Sequence, residues 1–349
     1  MKIRSIHAFA IASDLVGGPA RTPARRPAWT ADAEVASPMA HFARFKRMRS
    51  SWRPQWPSVA CLVTAQDGSW GLGMTRYGSP VIGIINEHLA PLLVDEPCDD
   101  IDHLWKMMQG MTSPYAGGLA SYAISAIDLA LWDLKGKHQR APVYDLLGGP
   151  ARTHIDCYAT GNDTDWHLEL GFQATKIACP FGPADGEQGL ETNAQCIAQA
   201  RERIGPAMDL MVDCWMAFDI DYAVRFAQRM HAYRLRWIED CLMPDDLDGV
   251  RELRRRLPAQ GLAGGEHWYT PAPFASAARE RSLDVFQPDI GWACGLTGCL
   301  KIAQTAQQAD IPVMLRAVSL LRQPGRSALD RIQGMGEVLS ATLLHAHLR

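Results

Sequence analysis

Apolar residues at 2–12 and 58–66 (SVACLVTAQ) alternate or run together as half-buried strands do, and DGSWG at 67–71 supplies a hairpin-type turn after the second run. Between them, 13–57 is rich in Pro, Arg, Gly and Trp and carries no sustained period. That is the texture of a lid or binding loop, or of a merely decorated surface loop. Helical periodicity follows at 99–110 and strongly at 119–137, where Ile124, Ile127, Leu131 and Leu134 share one face and Gly136 helps to end the helix.

From 154 the pattern becomes a repeat: a short apolar strand, a polar residue at its end, then a helical stretch. The predicted strands are 155–160, 174–179, 209–214, 235–239, 261–266, 284–290 and 311–315, with helices such as 188–204 and 221–233 between them. Strands alternating with helices at this spacing indicate parallel βαβ units. Seven units in a row favour a (β/α) barrel over an open doubly wound sheet. No GxGxxG or GxxxxGKS opens a helix, which counts against nucleotide binding.

In a (β/α) barrel the C-terminal strand ends converge on one site. Three successive strands end in Asp213, Glu239 and Glu266, separated by 26 and 27 residues, one βα unit each. Three carboxylates in a closed site repel one another, and a hard divalent cation relieves that repulsion; all-oxygen ligands suit Mg²⁺. Ordinary surface acids are the competing explanation for any one of them, but three at matched spacing make it a poor one. Asp289, at the next strand, is either a turn former after Pro288 or the fourth acid of the series, an orienter of a base on the neighbouring strand. Lys176, at the second strand, reads as a cation for a substrate carboxylate, a base, or a rim charge.

Composition narrows the setting without changing this picture. Apolar residues make up 47% and the formal charge is −3, so a broad nucleic-acid-binding surface is not expected, although Arg21, Arg25 and Arg26 form a local basic cluster. The nine cysteines are never spaced C-x-x-C, which predicts reduced, mostly buried thiols rather than a zinc or disulfide framework, and a cytoplasmic protein. The N-terminal apolar run is short and broken by His7, so it reads as a strand rather than a signal peptide, and no window is apolar enough to span a membrane.

The runs VDCWMAFDIDYA, WIEDCLMPDDLDG, GGEHWYT and QPDIGWACGLT resemble the metal and dyad motifs of the enolase superfamily, mandelate racemase/muconate lactonizing enzyme type. AIDLALWDLKGK and PVYDLLGG fit the same pattern, and KIACPFGPADG and EVASPM fit its acid-sugar dehydratases of the rhamnonate dehydratase kind. The resemblance covers roughly residues 1–314. It implies an α/β fold: a modified (β/α)7β barrel, a TIM-like barrel with an N-terminal α+β capping domain. The expected division is 1–125 for the cap with its lid loops, 126–316 for the barrel and 317–349 for an atypical tail. It implies Asp213, Glu239 and Glu266 as ligands of Mg²⁺, which holds the substrate carboxylate and stabilises the enediolate formed when the α-proton leaves. Asp289 matches the dyad aspartate. Trp29, Arg49 and the Trp52–Trp56 loop belong to the closing loops, Arg49 being the best basic candidate for the substrate, and His267 lines the site. The implied reaction is dehydration of an aldonate such as L-rhamnonate to a 2-keto-3-deoxy acid, in a small-molecule enzyme that forms homo-oligomers.

The chain departs from this pattern at its seventh strand. Relatives place Pro-His-Gly there; this sequence reads Leu315, Arg316 and Ala317. Arginine keeps its proton, so Arg316 does not replace a histidine base, and His345 and His347 stand in no strand-end context. The tail also lacks the pattern of an eighth strand, so the barrel is expected to be incomplete at its C-terminus. Three readings follow: a frameshifted or truncated product, a metal- and aldonate-binding pseudoenzyme, or an active enzyme using another base, with Lys176 leading. A racemase or epimerase is disfavoured, because it needs bases on both faces of the α-carbon.

Overall fold

The computed structural model describes residues 1–11, 35–46, 56–149 and 156–315. Trp29, Arg49, Trp52 and Arg316, the basic cluster Arg21–Arg26, and the tail of 317–349, where the expectation of an incomplete barrel falls, lie outside the described residues.

The two predicted N-terminal strands form, as β1 (Ile3–Ala10) and β2 (Val59–Ala65), and the hairpin turn leads into β3 (Trp70–Thr75). They pair antiparallel in the order β1-β2-β3. Helix α1 (Gly78–Gly83) continues through a π-helical turn, Ile84–Leu89, into α2 (Ala90–Leu93), and α3 spans Ile101–Met111. The strongly periodic segment is α4 (Gly118–Gln139), with Ile124, Ile127, Leu131 and Leu134 buried as expected. Gly136 lies inside it; the stop is Arg140, in the left-handed region, three residues beyond the predicted end. α4 lies directly on β3, because a Cβ built on Gly73 would stand 1.9 Å from the Ala126 carbonyl oxygen.

After α5 (Val143–Leu146), the second sheet contains β4 (Ala159–Thr160), then, beyond α6 (Thr164–Glu169), β5 (Ala174–Ala178), β6 (Asp209–Asp213), β7 (Ile238–Glu239), β8 (Leu262–Gly264) and β9 (Val285–Phe286). All neighbours are parallel and in sequential order, with no reversal of strand order such as a doubly wound sheet requires. A parallel bridge from Phe286 to Val313 starts the seventh strand where 311–315 predicted it. The helices α7 (Gly186–Ile204), α8 (Ile220–Met230), α9 (Leu247–Arg256), α10 (Pro271–Glu280) and α11 (Gly295–Gln308) alternate with these strands. Asp219 and Asp246 cap α8 and α9 by accepting hydrogen bonds from the Tyr222 and Gly249 amides. Several strands are shorter than predicted. β9 stops before Pro288, whose nitrogen carries no proton for a ladder.

The boundary expected at 125/126 falls inside α4. One face of α4 belongs to the cap core with Val59, Val63 and Leu104, while Leu129 packs against the barrel's main core. Asp128 on this helix accepts from the Thr297 amide (3.0 Å) at the start of α11, and Ser125 Oγ accepts from the Gly295 amide. Seven of the nine cysteines are buried, as the sequence predicts for most of them. Among the described residues no helix is long and apolar enough to cross a membrane.

Two consequences can be measured. Gly73→Ala forces a methyl group into the backbone of α4 and is expected to cost about 3 kcal/mol of stability, read by urea unfolding. Burial raises the Asp128 pKa to about 7, only partly offset by its bonds to the start of α11. The folded state therefore binds more protons here than the unfolded state between pH 4 and 7, and this contribution to stability is lost as pH rises through that window. Asp128→Asn keeps the shape and abolishes the loss: its stability relative to wild type should rise from pH 4 to 7 and then level off.

Candidate active site

Side chains alternate along a strand, so positions two apart stack in layers inside a barrel. Met211, Trp237, Ala263 and Val285 form a buried apolar layer, with Tyr158, Ala174 and Met314 packed against it. Two residues further along the same strands stand Asp213 (after Met211), Glu239 (after Trp237), Lys176 (after Ala174) and Gln287 (after Val285), all buried. β8 departs from the two-residue step. Gly265, at φ +107, turns the chain, and the carboxylate arrives one position later, on Glu266. A Cβ on Gly265 would also meet the Phe274 ring at 2.5 Å.

The structure brings all three predicted strand-end acids together. Oxygens of Asp213, Glu239 and Glu266 lie within 4.8 Å of one another, and each residue is at most 4% exposed. Asp213 Oδ1 accepts from the Trp215 amide at 3.0 Å. Glu239 Oε2 accepts from Trp237 Nε1 (3.1 Å) and Gln287 Nε2 (2.7 Å), while its Oε1 is paired with the Lys176 ammonium. Lys176 Nζ is also 3.5 Å from Asp213 Oδ2 and 5.6 Å from the centre of the Tyr158 ring. Burial pulls the Lys176 pKa down, but the two carboxylates outweigh it and hold the ammonium well above its usual range. Burial pushes Glu239 up, and Asp213 adds to this while Lys176 opposes it. One ammonium among three buried carboxylates leaves negative charge for a cation, and an all-oxygen donor set of this size suits Mg²⁺.

Asp289 is buried, its Oδ1 accepting from the Gly291 amide at 2.8 Å. Burial lifts its pKa to about 7 against the lowering influence of that amide, Arg76 and His267. His267 does stand at the site. Its Nδ1 is 3.0 Å from Asp240 Oδ2, and its ring centre is 6.1 Å from that of Trp215 and 5.5 Å from that of Trp292. Asp240, Glu266 and His267 form a second group of closely spaced potential ligands. Of the predicted lid, 13–57, the described segment 35–46 sits at the end of β5, where the Ala36 amide donates to the Cys179 carbonyl (2.7 Å) and Lys46 pairs with Asp185 (2.8 Å).

Several contributors were not predicted: Gln287, Tyr158, Asp240 and Arg76. Gln287 had a usable signal, since it lies two residues after Val285 as Asp213 lies two after Met211. Arg76 follows β3 of the cap, and its guanidinium lies 5.9 Å from the Trp292 ring. The preceding Thr75 donates from Oγ1 to the Gly291 carbonyl at 2.8 Å, which ties the cap to the Asp289 loop. Nothing in a linear reading links these positions.

Comparison with known proteins agrees with this architecture. Residues 44–148 match the mandelate racemase/muconate lactonizing enzyme N-terminal domain, and residues 164–328 match the enolase C-terminal domain-like family. An L-rhamnonate dehydratase of Saccharopolyspora erythraea is 39% identical over 309 residues, covering 88% of this chain and 78% of that protein. The crystal structure of rhamnonate dehydratase from Gibberella zeae complexed with Mg superposes with a TM-score of 0.84 at 32% identity, over 91% of this chain and 79% of that one. The 3,6-anhydro-D-galactonate cycloisomerase of Zobellia galactanivorans is similar at TM-score 0.73 and 27% identity, over 100% of this chain and 85% of that one. The cap sheet, the sequentially ordered parallel sheet and the strand-end carboxylates thus have one common explanation: the chain belongs to the mandelate racemase/muconate lactonizing enzyme group of the enolase superfamily.

Proposed function

We propose that this protein is an Mg²⁺-dependent acid-sugar dehydratase that converts an aldonate of the L-rhamnonate type to a 2-keto-3-deoxy acid. The observation that carries this reading is the convergence of Asp213, Glu239 and Glu266, buried and within 4.8 Å of one another. On this reading those three residues hold the ion. When bound, it supplies positive charge opposite the negative charge that develops on the substrate carboxylate as its α-proton leaves.

The remaining residues bind, orient and handle protons. Gln287 and Trp237 fix the Glu239 carboxylate by donating to Oε2. Asp289 and Lys176 are the proton-handling groups. A buried carboxyl with its pKa near 7 suits both halves of a dehydration, accepting the α-proton and returning a proton to the departing β-hydroxyl. His267, held by Asp240, faces the substrate, and the aromatic wall of Trp215 and Trp292 limits water around it. Arg49 and Trp29 are proposed to close over the sugar from the cap. The cap is taken as 1–125 and the barrel as 126–316, with α4 shared between them, and the small-molecule site is placed at their junction.

A second reading, a metal- and aldonate-binding pseudoenzyme, rests on Arg316, an obligate cation where a histidine base stands in the matching motif. Turnover separates the two. The purified chain with Mg²⁺ and a panel of five- and six-carbon aldonates is expected to release 2-keto-3-deoxy product; aldonate binding by calorimetry without product establishes the pseudoenzyme instead. Asp289→Asn should lower turnover about 10²- to 10⁴-fold. Mg²⁺ at a hundred times its Kd should add about 2.7 kcal/mol of stability, and Asp213→Asn should remove that gain. An unchanged gain in Asp213→Asn would refute the ligand assignment. Gln287→Leu should weaken Mg²⁺ binding about 10- to 100-fold in the same calorimeter.

A further inference from the structure

Among the strand-end carboxylates a cation is already seated. The Lys176 ammonium is paired with Glu239 Oε1 and lies 3.5 Å from Asp213 Oδ2, on a side chain only 4% exposed. The position is built rather than incidental. Lys176 rises from β5 next to β6, above the Ala174 position of the apolar floor, and Tyr158 offers its ring face to the ammonium at 5.6 Å. Glu239 Oε2 is taken by Trp237 and Gln287, so Oε1 is the oxygen this carboxylate directs to a cation. It is the oxygen Lys176 holds.

Two cations cannot share that oxygen at low cost. An ammonium and a dication a few ångströms apart in a buried site repel far more strongly than they would in water. We propose that Lys176 is an internal counter-ion that competes with the divalent cation for Glu239, so that entry of the metal displaces the ammonium from the carboxylate toward the substrate side of the site. The proposal rests on the ligand assignment of the preceding section. It gives the site an order: the metal arrives first, and only then does Lys176 become available to a bound acid. It also gives the cluster a source of neutralising charge that keeps its carboxylates folded together while the ion exchanges.

The test compares wild type, Lys176→Met and Lys176→Arg, each purified in Mg²⁺, stripped with EDTA and titrated with Mg²⁺ by calorimetry. Removal of the charge is expected to tighten Mg²⁺ binding about tenfold or more, because the dication no longer has to displace an ammonium. Lys176→Arg, which keeps the charge, should stay near wild type. The melting-temperature gap between EDTA and Mg²⁺ should widen in Lys176→Met. Should that variant not survive EDTA, crystals of the wild type grown with EDTA and with Mg²⁺ decide the matter: Lys176 Nζ should leave hydrogen-bond reach of Glu239 Oε1 when the ion is present. An ion pair retained beside bound Mg²⁺, or a Lys176→Met affinity equal to or weaker than wild type, overturns the proposal. If Mg²⁺ binding is lost in Asp213→Asn yet unchanged in Lys176→Met, the ligand assignment stands and only this inference falls. If wild type binds no Mg²⁺, both fall.

Discussion

Burying like charges together is the constraint around which the rest of the molecule is organised. Asp213, Glu239 and Glu266 are withdrawn from water on adjacent parallel strands, where their repulsion is large and solvent cannot screen it. Such a cluster survives only if the backbone beneath it is rigid and compensating groups are fixed. The apolar floor of Met211, Trp237, Ala263 and Val285 supplies the first condition. Lys176, Gln287 and the indole of Trp237 supply the second.

This economy explains why so much of the site was legible. A (β/α) unit has a nearly fixed length, so Asp213, Glu239 and Glu266 recur at 26 and 27 residues and announce themselves in the sequence. The strands behind them are short but apolar, and each was found where the pattern placed it. What the sequence did not disclose depends on contacts across the fold. Asp240 acquires its meaning only because His267, 27 residues away, comes to lie against it. Arg76 belongs to the cap yet stands over Trp292 of the barrel. Pro288, which shortens β9, is visible in the sequence, whereas the turn at Gly265 that shifts the carboxylate by one position needs its φ to be known.

The same chemistry sets what a family likeness transmits. The matched family models and solved structures share the two-part architecture. On the proposed reading, an ion held by three acids would fix the position of a substrate carboxylate whichever acid sugar is bound. On that reading, discrimination among sugars would fall to groups farther along the substrate, on the cap side, where Arg76 and the 35–46 segment reach the barrel.

Helix α4 has a consequence of another kind. One of its faces completes the cap core and the other touches the barrel core, and its Asp128 and Ser125 hold the start of α11. Neither core can come apart without stripping a face from the helix the other depends on. Cap and barrel, distinct in architecture, are therefore joined as one cooperative unit of unfolding, and heat or denaturant should meet a single transition rather than two.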